Sequence, residues 1–248
     1  MLRRIVQPFY TAYAVVVFCV CFLVVLAIMW CSTVRMKKSL KARKSINAIA
    51  RFFFKFYLWL IGMPAQMSGK RVLTRCVYVA NHTSYLDTVL IFAAINTHFH
   101  TLGKAEASRI PLYNYFYNRA AILIDRNDTA SRVSSVLKMC KVLQKDATSV
   151  LIFPEGTFNQ TGKPLKEFYD GAFWLAINTQ TPIVPILFPD AIERWPPSKW
   201  WKLWPSRNRV IFLEPISVTG LSTNDTHTLK KEVYNKMEVA LMKCRAQR

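Results

Sequence analysis

The sequence predicts an α/β fold, a mainly parallel sheet flanked by helices on both faces, with an N-terminal membrane-anchoring helical segment ahead of it. Three observations carry that prediction. Beyond Pro64, short and nearly continuous apolar runs alternate with stretches of helical periodicity, as parallel strands buried on both sides require. Before Pro64, Phe9 to Trp30 gives 22 residues without a charge, about 33 Å of helix and so enough to cross a bilayer. Two of the strand-like runs end in polar turns, Asn81-His82-Thr83-Ser84 and Pro154-Glu155-Gly156-Thr157. In a parallel sheet ligands bind beyond the carboxyl ends of the strands, which places both turns at one site. The expected division is residues 1–63 as membrane anchor and interfacial helix, and residues 64–248 as the α/β domain.

Composition narrows the partners. Hydrophobic residues make up 52% of the 248, aromatics 13%, and the formal charge is +20. Strong positive charge on a chain suits nucleic acid or an anionic membrane surface. Thirteen of the 34 Lys and Arg residues precede Asp87, the first acidic residue, and most of those flank apolar segments. No glycine-rich RNA-binding signature, Cys/His zinc pattern or basic-region heptad accompanies them, so the membrane surface is the partner implied and nucleic acid is not. The six cysteines show no paired metal-ligand spacing, and three lie in or beside the apolar span. They read as small buried hydrophobes in a reducing compartment, with no metal site and no disulfide framework.

Taken in order, Arg3 and Arg4 precede an apolar run too long for a signal-peptide core and lacking a small-x-small cleavage pattern, which favours a retained anchor. Arg35, Lys37, Lys38, Lys41, Arg43 and Lys44 then place six positive charges within ten residues. By the positive-inside bias the following domain lies on the cytoplasmic face of the membrane. Phe52 to Met63, 12 residues, is too short to span. It fits an interfacial helix, the second arm of a shallow hairpin, or a core helix.

Expected strands are Cys76 to Ala80, His98 to Leu102, Ala120 to Ile124, Val150 to Phe153, Ile183 to Leu187 and Val210 to Leu213. The clearest helix places Val133, Val136, Leu137, Cys140 and Leu143 on one face behind an Asp128 or Thr129 cap, and a last helix runs from about His227 to Lys243. Glu193 to Arg209 resists this alternation, because Trp195, Trp200, Trp201 and Trp204 are interleaved with cations and three prolines. That composition suits a membrane-interface contact or a loop folded over the core.

The chemistry starts at His82, with Asp87 five positions on. A base and its orienting carboxylate are commonly arranged this way. If Thr83 or Ser84 caps a helix, His82 sits at its positive end and Asp87 about one turn in, and the pair is able to take a proton from a hydroxyl.

Four blocks, in order, carry a resemblance to a family. Asn81-His82-Thr83-Ser84-Tyr85-Leu86-Asp87, Gly103-Lys104-Ala105-Glu106 through Ile124-Asp125-Arg126, Phe153-Pro154-Glu155-Gly156-Thr157 and Ile183-Val184-Pro185-Ile186 resemble the 1-acylglycerol-3-phosphate acyltransferase family of the glycerolipid acyltransferase superfamily. The resemblance implies transfer of a fatty acyl group from acyl-CoA or acyl carrier protein to the 2-hydroxyl of a lysophosphatidate, forming phosphatidate, with no further cofactor. It makes His82 the general base, Asp87 its orienting partner and Arg126 the contact for the glycerol-phosphate head group. Glu155, Gly156 and Thr157 would shape the acceptor site, with Lys104 nearby.

The sequence also departs from the family pattern. Phe158-Asn159 follows Glu-Gly-Thr where many relatives carry a basic residue, and Tyr169 and Asp170 stand where relatives often place lysines. The alternatives are therefore acylation of another lysolipid, such as a lyso-aminolipid, and a non-catalytic lipid-surface protein. A lipid hydrolase lacks support, since no Gly-x-Ser-x-Gly elbow is present.

Overall fold

The computed structural model describes residues 2–33, 40–71, 74–125 and 128–247. Two long helices, α1 (Leu2–Thr33) and α2 (Leu40–Leu60), lead into strand β1 (Ala65–Gly69). Then come β2 (Val77–Ala80), α3 (Leu86–Ala94), β3 (Phe99–Lys104), α4 (Tyr113–Ala120), β4 (Ala121–Ile124), α5 (Thr129–Lys145) and β5 (Ser149–Ile152). The chain closes with α6 (Gly171–Asn178), β6 (Ile183–Leu187), α7 (Ala191–Arg194), β7 (Asn208–Phe212) and α8 (Thr226–Ala246).

Among the described residues seven strands form one sheet, in the order β1-β7-β6-β2-β5-β3-β4. Every pairing is parallel except β6 with β7. Alternation along a strand sends successive side chains to opposite faces. Tyr78 and Ala80 of β2 pack among residues of α2, α3 and α4. Val77 and Val79 pack among α5, α6 and α8. With both faces covered, the expected two-sided α/β architecture is present, and β2 needs the unbroken apolar run that its sequence supplies.

Three elements depart from the sequence reading. Strand β1 was not anticipated, because Ala-Gln-Met-Ser-Gly holds no β-branched or aromatic residue. It is an edge strand held by main-chain pairing with β7. A side chain at Gly69 would put its first carbon 1.9 Å from the Phe212 carbonyl oxygen, so this close approach requires glycine. In α5 the core face is rotated from the one expected. Val133 and Leu137 are 55% and 60% exposed, while Ser135, Met139 and Val142 are buried. Burying Ser135 is cheap because its hydroxyl donates to the Leu123 and Ser131 carbonyls. The cap itself is as expected, with the Asp128 carboxylate accepting the Ala130 and Ser131 amides.

The third difference concerns Phe52 to Met63, of which Phe52 to Leu60 forms the end of the longer α2. One face of α2 buries Phe53, Phe54, Tyr57 and Leu58 in the cluster that also contains Leu86 and Leu90 of α3, while Phe52 and Trp59 stand 74% and 67% exposed. Helix α1 runs antiparallel along α2. The Tyr57 hydroxyl donates to Ala14, the Tyr13 hydroxyl to Leu60 and the Tyr10 hydroxyl to Ile61, and the Phe18 and Phe22 rings meet Phe53. The outer side of α1 is an apolar stripe through Phe9, Tyr13, Val16, Val20, Leu23 and Ile28. Over Arg3–Ser32 the helix is long and apolar enough to cross a membrane, with 17% of its most apolar window buried.

The tryptophan-rich segment folds against the first turns of α1. Thr11 donates to the Trp201 carbonyl and accepts the Leu203 amide, and the Arg3 guanidinium lies 4.9 Å from the centre of the Trp204 ring. Trp200 and Trp201 remain exposed. The segment is thus packed on one side, as expected of a loop folded over its neighbours, and presents two indoles on the other.

Candidate active site

Strand β2 lies between β6 and β5, and its carboxyl end carries the first polar turn. Asn81 continues the β2–β6 ladder with its side chain: its Oδ1 accepts the Phe188 amide at 2.8 Å and its Nδ2 donates to the Phe188 carbonyl at 3.4 Å. This fixes the exit direction of the chain and delivers His82 just past the strand. Helix α3 begins four residues later at Leu86, whose amide is taken by the Ser84 hydroxyl.

Asp87, in the first turn of α3, is fully buried. Its Oδ2 accepts the Thr83 amide at 2.6 Å and the Ser84 amide at 2.8 Å, and lies 3.0 Å from His82 Nδ1. Two backbone amides can only donate, so this oxygen is an acceptor and the third contact is His82 Nδ1–H donating to it. The lone pair of the ring therefore sits on Nε2. Burial raises Asp87 above the ordinary carboxylate value, opposed by the His82 hydrogen bond and charge and by the two amides. The ring plane is set by two phenyl groups, Phe153 at 4.1 Å and Phe158 at 4.2 Å between centroids.

The second polar turn follows β5, the neighbour of β2 on its other side. Glu155 reaches back from it with both oxygens occupied: Oε1 accepts the His82 amide at 2.7 Å and Oε2 the Lys166 amide at 2.9 Å. The His82 carbonyl in turn accepts the Asn159 backbone N–H at 2.7 Å. Both backbone groups of His82 are thus held by the 155–159 turn. Glu155 is itself 0% exposed, and burial pushes its carboxyl up to about 7 despite the two amides.

Next to this arrangement a cavity of about 650 Å³ opens at the carboxyl ends of β3, β4 and β5. Leu102, Ile124, Met139 and Ile152 make its apolar wall, and Lys104, Glu106, Thr157 and Asp170 its polar part. Phe153 lines the cavity on one side and stacks on His82 on the other, so the imidazole stands one ring away. Gly156 turns the chain at φ +70°, and the Tyr169 ring covers it closely enough that a first side-chain carbon there would lie 2.7 Å away.

Of the residues singled out from sequence, His82 and Asp87 are in direct contact. Lys104, Gly156 and Thr157 line the cavity. Glu155 differs from its expected place, since it faces the backbone of His82 and Lys166 rather than the cavity, and burial leaves it no surface for an acceptor. Arg126 lies outside the described residues. Sequence reasoning missed the two phenyl walls, the Asn159 tie and Lys166, whose Nζ donates to Thr157 Oγ1 at 2.9 Å. Only Phe153 had a local signal, being next to a strand end. Among the described residues no group of three or more His, Cys, Asp or Glu side chains is placed to hold a metal ion.

A doubly covered, mainly parallel sheet with an oriented imidazole at one strand end and a largely apolar cavity at the next is the arrangement of an enzyme that moves a proton beside a bound substrate. Comparison with known proteins makes that class specific. A model of the acyltransferase family matches residues 65–188, half of the chain. A Helicobacter pylori protein named 1-acyl-sn-glycerol-3-phosphate acyltransferase is 31% identical over 179 residues, 72% of this chain and 73% of that one. A Cocos nucifera protein of the same name is 32% identical over 143 residues, 57% of this chain and 46% of that one. The crystal structure of the Thermotoga maritima 1-acyl-sn-glycerophosphate acyltransferase PlsC shares the fold, with a TM-score of 0.79 at 21% identity over 98% of both chains. The chain belongs to the acyltransferase family.

Proposed function

We propose that the protein transfers a fatty acyl group from a thioester, acyl-CoA or acyl carrier protein, to the 2-hydroxyl of 1-acylglycerol-3-phosphate, giving phosphatidate. The observation that carries this reading is the buried Asp87 carboxylate fixing His82 Nδ1–H, which leaves Nε2 as an oriented base. Its company is the family's own, since both relatives and the solved structure named above carry that activity in their names.

In this mechanism His82 Nε2 accepts the proton of the 2-hydroxyl as its oxygen attacks the thioester carbonyl. The tetrahedral intermediate collapses, the carbon–sulfur bond breaks, and the departing thiolate takes the proton back from the imidazolium. No acyl-enzyme is required, because the thioester is already activated. Asp87 acts by holding the ring and stabilising its charge in the transition state, the role of a buried carboxylate in a triad. Gly156 and Thr157 form the cavity rim where backbone and hydroxyl groups approach the substrate. Lys104 on the same rim and Arg126 serve the phosphate in this reading.

The exposed stripe of α1, with Phe52, Phe56 and Trp59 of α2, suits immersion in a lipid leaflet. Contacts from Thr11 against the tryptophan loop to the Trp30 ring against Tyr115 of α4 run along most of α1. A helix keeping all of them lies along the bilayer surface. The cationic segment at residues 35–44 favours the cytoplasmic face. An anionic surface is then the partner that complements the +20 charge.

The deciding test offers purified protein a mixed lysolipid pool with both thioester donors and identifies the products by mass spectrometry. Phosphatidate as the main product is expected. A main product made from a zwitterionic or amino lysolipid would replace the proposed acceptor while keeping the chemistry.

A further inference from the structure

Loss of a basic residue after Glu-Gly-Thr leaves Phe158 beside His82, yet the folded chain brings a lysine to the same turn from eleven residues beyond Glu155. We propose that Lys166 is a specificity-determining residue whose ammonium, held against Thr157 at the rim of the cavity, binds the phosphate of the acceptor. The assignment rests on the functional reading above and adds to it the group that tells a phosphate-bearing lysolipid from others.

Two observations place Lys166. Its backbone amide and that of His82 are taken by the two oxygens of one buried carboxylate, Glu155, so the two main chains are tied together through a single side chain. Its ammonium then reaches Thr157 Oγ1 at 2.9 Å, and Thr157 lines the cavity. In a lysophosphatidate the 2-hydroxyl and the phosphate sit on neighbouring carbons of the glycerol. A base that takes the hydroxyl proton therefore needs its phosphate-binding cation close by, and Glu155 brings the two segments that carry them together.

Charge and valence agree. A lysine ammonium carries three donors, and Thr157 uses one of them through a neutral oxygen. Among the described residues Lys166 makes no ion pair. Of the carboxylates on the cavity rim, Asp170 is paired with Lys230 at 2.6 Å. Among the described lining residues Glu106 offsets Lys104, so without Lys166 these alone offer a phosphate dianion little net positive charge. Lys166 adds a half-buried cation beside that rim, held on the cavity-lining Thr157.

Phosphate is also carried by an acyl-CoA donor, and the experiment separates the two sources. Steady-state kinetics on the full chain in mixed micelles would compare wild type with Lys166→Met and Lys166→Arg, varying acceptor and donor in turn. Lys166→Met is expected to raise KM for lysophosphatidate roughly 10- to 100-fold, as for a lost hydrogen bond to a charged group, with kcat changed far less. Lys166→Arg should recover much of the loss. Phe158→Lys in the Lys166→Met background should also bring the acceptor KM back toward wild type, whatever the lost Phe158 ring costs kcat, which a purely structural role for Lys166 does not predict. A rise confined to the donor KM would assign the ammonium to the coenzyme, and an equal loss on an acceptor without a phosphomonoester would make Lys166 a prop for Thr157. Either result overturns the proposal. Binding of glycerol 3-phosphate, followed by phosphorus NMR, is read independently of turnover. If wild type binds it and Lys166→Met does not, the Lys166 assignment stands even where the acceptor proposed above proves wrong, and equal binding by both refutes it.

Discussion

The turn after β2 and the loop after β5 meet at one histidine, but they are built in opposite ways. In the β2–α3 turn the hydrogen bonds that make the His–Asp pair are short in sequence: Asp87 holds Thr83, Ser84 and the His82 ring, all within five residues. The β5–α6 loop holds its shape through distant partners. Glu155 reaches 73 residues back to His82 and 11 forward to Lys166, and the Tyr169 amide returns to Pro154. The first turn makes the chemical group, and the second fixes where it stands. Damage to the first should remove the chemistry with the fold intact, whereas damage to the second should cost stability and activity together.

The largest effect is expected at the local turn. His82→Ala should lower kcat by about 10³-fold or more, and Asp87→Asn by about 10²- to 10⁴-fold, since the asparagine amide can turn its donor toward Nδ1 and favour the wrong tautomer. Circular dichroism and the thermal midpoint of His82→Ala should stay near wild type, because the ring lies at a strand end between two phenyl groups. Turnover of the alanine variant within tenfold of wild type would refute the base assignment.

Glu155→Gln probes the distant loop. One amide nitrogen of the glutamine must replace an oxygen that now accepts a backbone N–H, so a donor faces a donor at His82 or at Lys166. A buried unsatisfied group of this kind costs about 1–3 kcal/mol. The thermal midpoint and kcat should fall together, the latter by about 10-fold, with acceptor KM also affected because Lys166 moves. A variant that lost activity at unchanged stability would contradict the division of labour between the two turns.

The same contrast explains how much was legible in the sequence. His82 and Asp87 were readable because spacing along one helix start decides whether they touch. The strands β2 to β6 were readable from continuous apolar runs, which two-sided burial demands. Glu155 was recognisable as important but not as a clamp, since its partners are chosen by the packing of β2 against β5. Lys166 had no sequence signal, as a lysine in an aperiodic loop resembles any solvated charge. Strand β1 lacked a side-chain signature because its stability comes from main-chain pairing, and the α5 face was misjudged because Ser135 satisfies its hydroxyl inside the core.

A smaller effect is expected at Gly156. Its φ of +70° and the Tyr169 ring 2.7 Å from a would-be first carbon both oppose alanine. Positive φ costs a non-glycine residue about 1–2 kcal/mol. The exposed Tyr169 ring has room to yield, so Gly156→Ala should lose stability near that value and little more. Adding Tyr169→Ala should restore only the steric part. Full recovery in the double variant would show that the ring, and not the backbone, sets the requirement for glycine.

The smallest effect is the pH response of the clamp. Burial holds the Glu155 carboxyl near 7 in the folded protein, against 4.5 for a free glutamate side chain. Between those values the folded state keeps a proton that the unfolded state has released, so stability falls as pH rises through this window and levels off above it. One group contributes at most about 1.4 kcal/mol per pH unit there. Asp87, also raised, adds a contribution of the same sign beginning near the ordinary carboxylate range. Urea unfolding of wild type at pH 5 and pH 6 should therefore show a loss of up to about that size from Glu155, superimposed on the rest of the protein. Glu155→Gln removes the titrating group, so the difference between its slope and that of wild type isolates the clamp. Parallel slopes would mean that the two amide bonds keep Glu155 ionised throughout, making it a permanently charged tie between the two turns.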